Sequence, residues 1–588
     1  MCGIGGYMTA EGAAAPPVLD TFLSALGHRG PDGEGRYMAA GAGLAQTRLA
    51  IIDLNTGDQP LYGDNGTALV ANGEIYNYLE LRREFSPRAF RTSSDCELPL
   101  ATYDRDSGAF AAPLRGMYAI ALHDARERAL YLARDPFGIK PLYYAEYSGG
   151  ILFASEPQAL LRTGLVPVRL RSSKSLELLQ LQFTTGRATI YESIQRVLPG
   201  ETLTLRGGHI VDRCTREALP EKKPQQISED EALKQLDVAL MDSVAVHQRA
   251  DVPYGLFLSG GIDSSAILAC MARLNESPVR AFTAGFPGTA AHDEREHAKA
   301  VARAAGAEHL EVEVTGRQFW RHLPAIIAAI DDPVADYAIV PTWFLAAEAA
   351  TDLKVVLTGE GGDEIFAGYS RYRTLLRSPF LGGRVMRKRG FFDGLGVLRD
   401  QTHHWREGVA AAERRLAMSD LDALQRAQAL DCADWLPNDL LVKLDRCLMA
   451  HGLEGRTPLL DPVAGAAGFC LPDGLKISGG NSKYLLRKWL AVNLPAAQPF
   501  APKRGFTVPV AEWIQPRARD LAGLIAASSG IAELCIPDRV RRLFSAFGDR
   551  GGKHEGNACW ILLFFALWHR IHVEHVRSGM DVFETLQA

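Results

Sequence analysis

The residue best suited to chemistry is Cys2, in the opening segment Met1-Cys2-Gly3-Ile4. An initiator methionine is usually removed when a small residue follows it, and removal would place a thiol and a free α-amine on one residue. A thiolate is a strong nucleophile, and an α-amine with a pKa near ~8 can accept its proton. Cys2 therefore predicts an N-terminal nucleophile, although a cysteine can also occupy this position by chance.

A second reactive segment, Ser259-Gly260-Gly261-Ile262-Asp263-Ser264-Ser265, lies between a predicted strand and a helix predicted from about Ser264. Its glycines let backbone amides approach an anion, and a helix N-terminus adds positive potential. No Gly-Lys-Ser/Thr follows, so this is not a Walker A loop. The turn resembles the pyrophosphate-binding loop of enzymes that cleave ATP to AMP and pyrophosphate. That resemblance implies that Asp263 helps to hold Mg²⁺.

A third segment combines glycines with carboxylates: Thr358-Gly359-Glu360-Gly361-Gly362-Asp363-Glu364 follows another predicted strand. In an open parallel sheet, both turns would lie at the carboxyl ends of the strands, where such sheets bind ligands. We predict that Thr358 and Gly359 face the nucleotide and that Asp363 completes the Mg²⁺ site. The alternative is a solvated acidic loop, which the interspersed glycines make less favourable.

The elements that must position these segments change along the chain. The first ~200 residues contain short β-prone runs separated by Gly, Asn, Asp and Pro, as in packed antiparallel sheets. The charged, polar and Pro-containing segment at residues 219–226 is the best linker. After it, a helix opened by Ser228 and strands alternating with helices predict a parallel sheet covered on both faces. The predicted strands are 69–71, 118–122, 130–133, 151–154, 254–258, 281–286 and 354–358.

Composition restricts the class of protein. The 588 residues carry a formal net charge of -5 with interspersed signs, so neither nucleic acid nor a membrane surface is an expected partner. No apolar run approaches the ~20 residues of a transmembrane helix. Nine dispersed cysteines without paired spacing are typical of a reducing compartment, and we expect a cytoplasmic protein.

With these segments in view, the chain resembles a glutamine-dependent asparagine synthetase of the class II (N-terminal nucleophile) amidotransferase family. The resemblance extends over nearly the whole chain. Besides the three segments above, the matching motifs are His28-Arg29-Gly30-Pro31-Asp32, Arg48 to Asp53, Asn72 to Asn77, Arg134 to Gly138, Lys443-Leu444-Asp445-Arg446 and Lys503-Arg504-Gly505-Phe506.

The resemblance implies a fold of two units. Residues 1–210 would form an α+β glutaminase domain with stacked antiparallel sheets between helices, and 211–227 a linker. Residues 228–588 would form an α/β synthetase domain, similar to adenine-nucleotide alpha-hydrolases, with a parallel sheet and a helical C-terminal part. A homodimer is the assembly that the family implies.

In the first unit, the resemblance implies that Cys2 attacks the side-chain amide of glutamine. Asn72 and the Gly73 N–H would form the oxyanion hole. Arg48 would bind the glutamine α-carboxylate in a bidentate manner, with Ile52 beside it. Glu74 and Asp95 would hold the α-ammonium.

In the second unit, the resemblance implies an acyl-adenylate made from ATP and aspartate. The ATP-binding positions would be Leu258, Ser259, Gly260, Gly261, Asp263, Ser264, Ala284, Thr358 and Gly359. Lys503 would neutralise charge on the α-phosphate, and Glu360 would assist adenylate formation and take a proton from ammonia. Asp263 and Asp363 would hold Mg²⁺. Ammonia would cross between the sites through an internal tunnel, which only the resemblance implies.

Some positions depart from the family pattern. Gln46-Thr47-Arg48 replaces His-Glu-Arg, with little effect expected because the arginine is kept. Gly455 replaces a β-branched residue, and Asp331-Asp332-Pro333 replaces Asp-Glu-Pro. These differences leave the acceptor open between aspartate and another carboxylate on a sugar, peptide or natural-product precursor. ATP-driven ring closure without glutamine is disfavoured by the retained Cys2. A non-catalytic sensor is disfavoured because Cys2, Asn72, Asp263 and Lys503 are all present.

Overall fold

The computed structural model describes residues 2–224, 226–291, 293–376, 387–400, 402–502, 507–577, 579 and 581–588. Among these residues, no helix combines the length and the apolar content needed to cross a bilayer.

The first unit contains two six-stranded antiparallel sheets. One sheet has the order β10-β8-β9-β1-β3-β2 and the other β12-β11-β7-β6-β5-β4. The strands are β1 (Cys2–Thr9), β2 (Gly33–Ala39), β3 (Ala42–Arg48), β4 (Leu61–Tyr62), β5 (Thr67–Ile75), β6 (Gly116–Asp124), β7 (Ala129–Arg134), β8 (Tyr143–Tyr147), β9 (Gly150–Ala154), β10 (Ile194–Arg196), β11 (Glu201–Arg206) and β12 (His209–Thr215). The helices are α1 (Leu19–Leu26), α2 (Tyr78–Glu84), α3 (Leu98–Asp106), α4 (Pro157–Leu161) and α5 (Ser172–Leu181).

The two antiparallel sheets are stacked on a shared apolar layer. Ile4 and Leu44 from the first sheet and Val70 and Leu132 from the second belong to one buried cluster. Residues that alternate with this layer point to the opposite faces of each sheet. The predicted stacked sheets are therefore confirmed, and the start of β1 lies where the two sheets meet.

The second unit is built on a five-stranded parallel sheet with the order β15-β14-β13-β16-β17. Its strands are β13 (Tyr254–Phe257), β14 (Arg280–Gly285), β15 (Glu308–Glu313), β16 (Val355–Leu357) and β17 (Glu454–Arg456), and a small hairpin joins β18 (Ile477–Ser478) to β19 (Asn481–Ser482). Since β13 and β16 are neighbours, the turns that follow them lie side by side at the carboxyl edge of the sheet.

Helices cover this sheet and form the C-terminal part, as predicted. They are α6 (Glu229–His247), α7 (Ile262–Leu274), α8 (Arg295–Ala304), α9 (Gly316–Ala329), α10 (Ile339–Ala349), α11 (Gly362–Ile365), α12 (Ser370–Leu375), α13 (Glu407–Ala417), α14 (Ala423–Leu430), α15 (Leu441–Met449), α16 (Pro462–Phe469), α17 (Asp473–Lys476), α18 (Tyr484–Asn493), α19 (Val510–Ile514), α20 (Ala518–Ala527), α21 (Ser529–Leu534), α22 (Pro537–Arg550), α23 (Lys553–His572) and α24 (Val582–Gln587). A π-helix over Asp431–Leu440 leads directly into α15.

The predicted cap of α6 has a clear local cause. The Ser228 hydroxyl accepts a hydrogen bond from the N–H of Glu231 at 3.3 Å, which satisfies a donor that the helix leaves unpaired. Leu236, Leu240 and Val244 are buried along one face and hold α6 against the second unit's core.

Candidate active sites

Cys2 is the first residue of β1 and is buried between the two antiparallel sheets. Its backbone N–H donates to Oδ1 of Asn72, on β5 of the other sheet, at 3.1 Å. Asn72 is fully buried, and its Nδ2 has no hydrogen-bond partner among the described residues. A buried amide donor left unpaired is costly, so Asn72 has a donor available for an oxygen atom bound beside Cys2.

Gly73 follows Asn72 with a φ of +153°, a conformation that side chains rarely adopt. A Cβ at this position would lie 2.0 Å from the carbonyl oxygen of Met117 on β6. Only glycine therefore fits between β5 and β6 here, and it lets the backbone pass close to the Cys2 pocket.

The thiol of Cys2 experiences two opposing influences. Burial raises its pKa, whereas the N–H of Leu49, the side chain of Gln46 and the charge of Arg48 stabilise the thiolate and lower its pKa. The sequence interpretation expected little effect from Gln46, and the structure places this side chain at the nucleophile. Its departure from the family pattern was the signal that could have singled it out.

Arg48 ends β3 opposite Cys2 and is held in a fixed orientation. Its Nη2 donates to the carbonyl oxygens of Asp53, at 2.5 Å, and Ile52, at 3.4 Å. Its Nη1 pairs with Asp58 at 2.7 Å, and the Asp58 side chain is 81% exposed. The guanidinium is thus positioned by backbone, and its one carboxylate partner is a solvent-facing side chain that a ligand carboxylate can replace.

Glu74 and Asp95 lie together in the same buried region. Asp95 accepts a hydrogen bond from the N–H of Ile75 at 2.6 Å. Burial raises the pKa of both carboxyl groups, and the charges of Asp95 and Glu454 raise the pKa of Glu74 further. A ligand ammonium between these groups would favour their charged forms.

Arg456 links the pocket of Glu74 to the second unit, and sequence reasoning missed it. Its Nη2 lies 3.5 Å from Glu74 and its Nε 2.5 Å from Glu454, and all three residues are buried. The Arg456 carbonyl oxygen accepts the N–H of Thr358 at 2.8 Å. One residue therefore contacts both the Glu74 pocket and the turn after β16. The sequence signal for Arg456 was its charge, one residue after Gly455.

Arg29 joins the two units on the other side of Cys2. It is fully buried, donates to the Cys2 carbonyl oxygen at 3.2 Å and forms a bidentate pair with Asp445 of α15 at 2.8 and 2.9 Å. Arg446 pairs with Asp331 at 2.7 Å. The motifs at residues 28–32 and 443–446 therefore meet at the boundary between the units.

The turn after β13 has the features of a phosphate cradle. Ser259 Oγ accepts the N–H of Gly261 at 3.2 Å and lies 3.2 Å from Ser264 Oγ. Gly260 has a φ of +72°, and α7 begins at Ile262, so the turn opens onto a helix N-terminus. An adjacent cavity of about 390 Å³ is lined in part by Gly260, Gly261 and Asp263. Backbone donors and helix potential favour an anion here.

Leu258 and Ala284 lie at the ends of the neighbouring strands β13 and β14. Leu258 is buried, and its carbonyl oxygen accepts the Thr283 hydroxyl at 2.6 Å. Ala284 is buried one residue before the end of β14. The structure thus brings both residues to the edge of the sheet where the cradle lies.

The turns after β13 and β16 are in contact. A Cβ on Gly359 would lie 2.9 Å from the N atom of Ser264, and a Cβ on Gly362 would lie 2.3 Å from Asp263 Oδ1. Glycines at both positions therefore allow the acidic turn to reach the cradle, and Thr358 is buried at its start. The alternative of a solvated acidic loop is not what the structure shows.

Asp263 and Asp363 share a cation that sequence reasoning missed. Lys483, just before α18, places its Nζ 2.5 Å from Asp263 Oδ2 and 2.7 Å from Asp363 Oδ1. Both charges raise the pKa of the Lys483 ammonium. Two convergent carboxylates at a phosphate cradle are donors that suit Mg²⁺, although the described residues hold no set of three such ligands.

Glu360 is half-buried and pairs with another lysine. Lys443 Nζ lies 3.2 Å from Glu360 and 3.1 Å from Asp336. Both carboxylates raise the pKa of Lys443. Lys503 lies outside the described residues, so its expected role at the α-phosphate stays a prediction.

Comparisons with known proteins agree with this geometry. The asparagine synthase family model matches residues 235–570, and the glutamine amidotransferase domain model matches residues 1–215.

Curated relatives match over almost the full length. Asparagine synthetase [glutamine-hydrolyzing] 1 of Bacillus subtilis is 32% identical, over 98% of this chain and 97% of its own. A putative asparagine synthetase [glutamine-hydrolyzing] of Mycobacterium bovis is 35% identical, over 98% of both chains. Asparagine synthetase B [glutamine-hydrolyzing] of Escherichia coli is 30% identical, over 83% of this chain and 78% of its own. This chain belongs to the family of glutamine-hydrolysing asparagine synthetases.

Proposed function

We propose that this protein converts aspartate, glutamine and ATP to asparagine, glutamate, AMP and pyrophosphate. The observation that carries the proposal is the bond from the Cys2 N–H to Asn72, which leaves the Asn72 amide donor unpaired beside a buried nucleophile. A phosphate cradle with two convergent carboxylates in the same chain supplies the second half of the reaction.

Glutamine hydrolysis would begin once Met1 is removed. The Cys2 sulfur attacks the side-chain amide carbon, and the thiol proton passes through the α-amine to the departing nitrogen. Asn72 Nδ2 and the Gly73 N–H stabilise the oxyanion. Ammonia leaves, a thioester remains, and water releases glutamate. Arg48 binds the substrate carboxylate, and Glu74 with Asp95 binds its ammonium.

Asparagine formation would take place at the carboxyl edge of the parallel sheet. The turn 259–265 binds the ATP phosphates, with Leu258 and Ala284 beside the adenine and ribose. Asp263 and Asp363 are the residues that would hold Mg²⁺, whose charge would stabilise the leaving pyrophosphate. Glu360 is placed to take a proton when ammonia attacks the aspartyl-adenylate.

The proposal includes an organisation for the whole chain. Residues 1–210 and 228–588 are the two catalytic units, and 211–227 join them; strand β12 runs from the first unit into this linker. We propose a cytoplasmic homodimer that binds neither nucleic acid nor membrane. The net charge of -5 with interspersed signs supports the absence of nucleic acid and membrane from these partners.

The first experiment would incubate the protein with Mg-ATP, amide-¹⁵N-glutamine and aspartate. We expect ¹⁵N-asparagine and AMP in equal amounts by mass spectrometry, and neither product when aspartate is omitted. Glutamate release without asparagine or AMP would contradict aspartate as the acceptor and direct the search to other carboxylates.

A further inference from the structure

A buried carboxylate without a partner lies close to Glu360. Asp439, in the π-helix Asp431–Leu440, is 0% exposed, and neither of its carboxylate oxygens has a hydrogen-bond partner among the described residues. A buried carboxylate without a hydrogen-bond partner destabilises the fold. π-Helices are rare in proteins as a whole, but those that occur are often found at functional sites. The unpaired carboxylate and the π-helix therefore both indicate a binding role.

The charged groups around Asp439 do not compensate it. Asp336 and Glu360 add negative charge, and Lys443, one turn further along, is paired with both of them. A second cation that acts on Asp439 is Arg387, whose Nη2 lies 3.5 Å from Asp431 and whose guanidinium lies 4.0 Å from the ring of Trp435. The negative charge of Asp336, Glu360 and Asp439 together exceeds the positive charge of Lys443 and Arg387. This location therefore favours an additional cationic group.

A primary ammonium suits this location. An ammonium carries three N–H donors, and an ionised carboxylate offers only acceptors. The oxygens of the unpaired Asp439 carboxylate can therefore accept hydrogen bonds from such a group.

The location also indicates which molecule would bring the ammonium. Glu360 follows Gly359, which packs against Ser264 of the phosphate cradle, and Lys443 connects Glu360 to the helix turn of Asp439. The group bound at Asp439 would thus belong to the carboxylate that reacts with ATP. Aspartate carries an α-ammonium next to its reacting end, whereas a plain dicarboxylate does not.

We propose that Asp439 binds the α-ammonium of the acceptor and so selects an amino acid over a plain dicarboxylate. This inference rests on the proposed synthesis of asparagine. Burial and the charge of Asp336 raise the pKa of Asp439 well above its ordinary range, whereas an ammonium beside the carboxylate would lower it. Binding of an ammonium favours the ionised form.

The test compares aspartate with succinate, which lacks only the amino group. Ammonium chloride supplies the nitrogen, so that the glutaminase unit is not needed, and AMP formation reports the rate. We expect the protein to prefer aspartate by about 100-fold or more in kcat/KM, because a site built for a polar group rejects the analogue without it.

In Asp439→Asn, we expect kcat/KM for aspartate to fall about 10- to 100-fold, mainly through KM, while the value for succinate changes little. Asp434→Asn is the matched control: Asp434 lies in the same π-helix, and its Oδ1 already accepts the N–H of Gly186 at 2.8 Å. Its preference for aspartate should stay unchanged. Glutaminase activity reports whether each variant is folded.

Three outcomes distinguish the ammonium-binding role of Asp439, a structural role of this residue and the proposed function itself. A wild-type preference for aspartate below about 10-fold would overturn the role of Asp439 without any variant. An equal loss with both acceptors in Asp439→Asn would assign it a structural role instead. Failure of the wild-type protein to form asparagine at all, with AMP formed from another carboxylate, would overturn the proposed function itself.

Discussion

The two sites of this protein differ in how they satisfy their own polar groups. At Cys2, backbone groups hold Arg48 and Asp95, and the Asn72 amide donor remains open. At the phosphate cradle, Lys483 bridges Asp263 and Asp363. The first site thus presents an unpaired donor beside its nucleophile, whereas the second is closed by an ion pair within the chain.

This difference has a consequence for binding. Glutamine can enter a pocket whose donors are already oriented, so little rearrangement is needed and the pocket is preorganised. At the cradle, a divalent cation must compete with the ammonium of Lys483 for the same two carboxylates. We therefore expect substitutions of Cys2 and Asn72 at the first site to act mainly on the chemical step, and substitutions at the second site to act on binding of Mg-ATP as well.

The largest effect should come from Cys2→Ala. Without the thiol, glutamine-dependent synthesis should fall more than about 10³-fold, while synthesis from ammonium chloride continues because the cradle is untouched. Asparagine formation with each nitrogen source measures both. Cys214→Ala, which changes an exposed cysteine, should keep both activities. Loss of both activities in Cys2→Ala would contradict separate sites.

Asp263→Ala should have the opposite effect to Cys2→Ala: the ATP-dependent reaction is lost and glutamine hydrolysis is kept. It removes one carboxylate from the pair that Lys483 bridges, so AMP and pyrophosphate formation should fall at least about 10²-fold while glutamine hydrolysis persists. The control is Asp538→Ala, at a side chain that is 82% exposed in α22. An unchanged rate of AMP release would remove Asp263 from the nucleotide site.

Asn72→Ala tests the open donor directly. Removal of one oxyanion-hole donor typically lowers kcat about 10²- to 10³-fold, and the substitution also removes the acceptor for the Cys2 N–H. Glutaminase kcat should fall by this amount, with ammonia-dependent synthesis retained. The surface residue Asn65, whose side chain donates to Asp104, provides the control Asn65→Ala. A change confined to KM would indicate a role in substrate binding.

The parts of the fold that the sequence predicted are those with local signals. The strands at 254–258 and 354–358 are apolar runs followed by glycine turns, and the structure has β13 and β16 there. Residues such as Ser259 and Asp263 could be proposed because the turn itself carries the glycines, hydroxyls and carboxylate that suggest phosphate binding. Strand β17 escaped prediction because Glu454-Gly455-Arg456 reads as polar; these residues are buried through ion pairs, not through hydrophobicity.

The missed site residues share another cause. Lys483 pairs with a residue 220 positions earlier in the chain, and Arg456 reaches Glu74 from the other unit. Such contacts depend on tertiary pairing and leave no periodic signal. Asp439 lies in a π-helix, whose spacing departs from the 3.6-residue period used to assign helix faces.

The smallest expected effect concerns pH and the ammonium pocket of the first site. Burial raises the pKa of Glu74 well above its ordinary value of 4.5, and only the ionised carboxylate pairs with the ammonium of glutamine. As pH falls through this raised pKa, Glu74 is protonated and KM for glutamine should rise, by up to about 10-fold per pH unit. Glutaminase kinetics from about pH 8 to about pH 5 would measure this dependence.

Two variants separate this dependence from general effects of pH. Glu74→Gln should have a high KM that no longer varies over this range, because the titrating group is gone. Glu80→Gln removes a more exposed carboxylate that pairs with Arg249 and should keep the wild-type profile. A pH-dependent KM in Glu74→Gln would assign the titration to another group, of which the buried Asp95 is the nearest candidate since burial raises its pKa too. That result would shift the ammonium site from β5 to the residues that follow it, and it would leave Arg456 as a partner of Glu74 with a purely structural role.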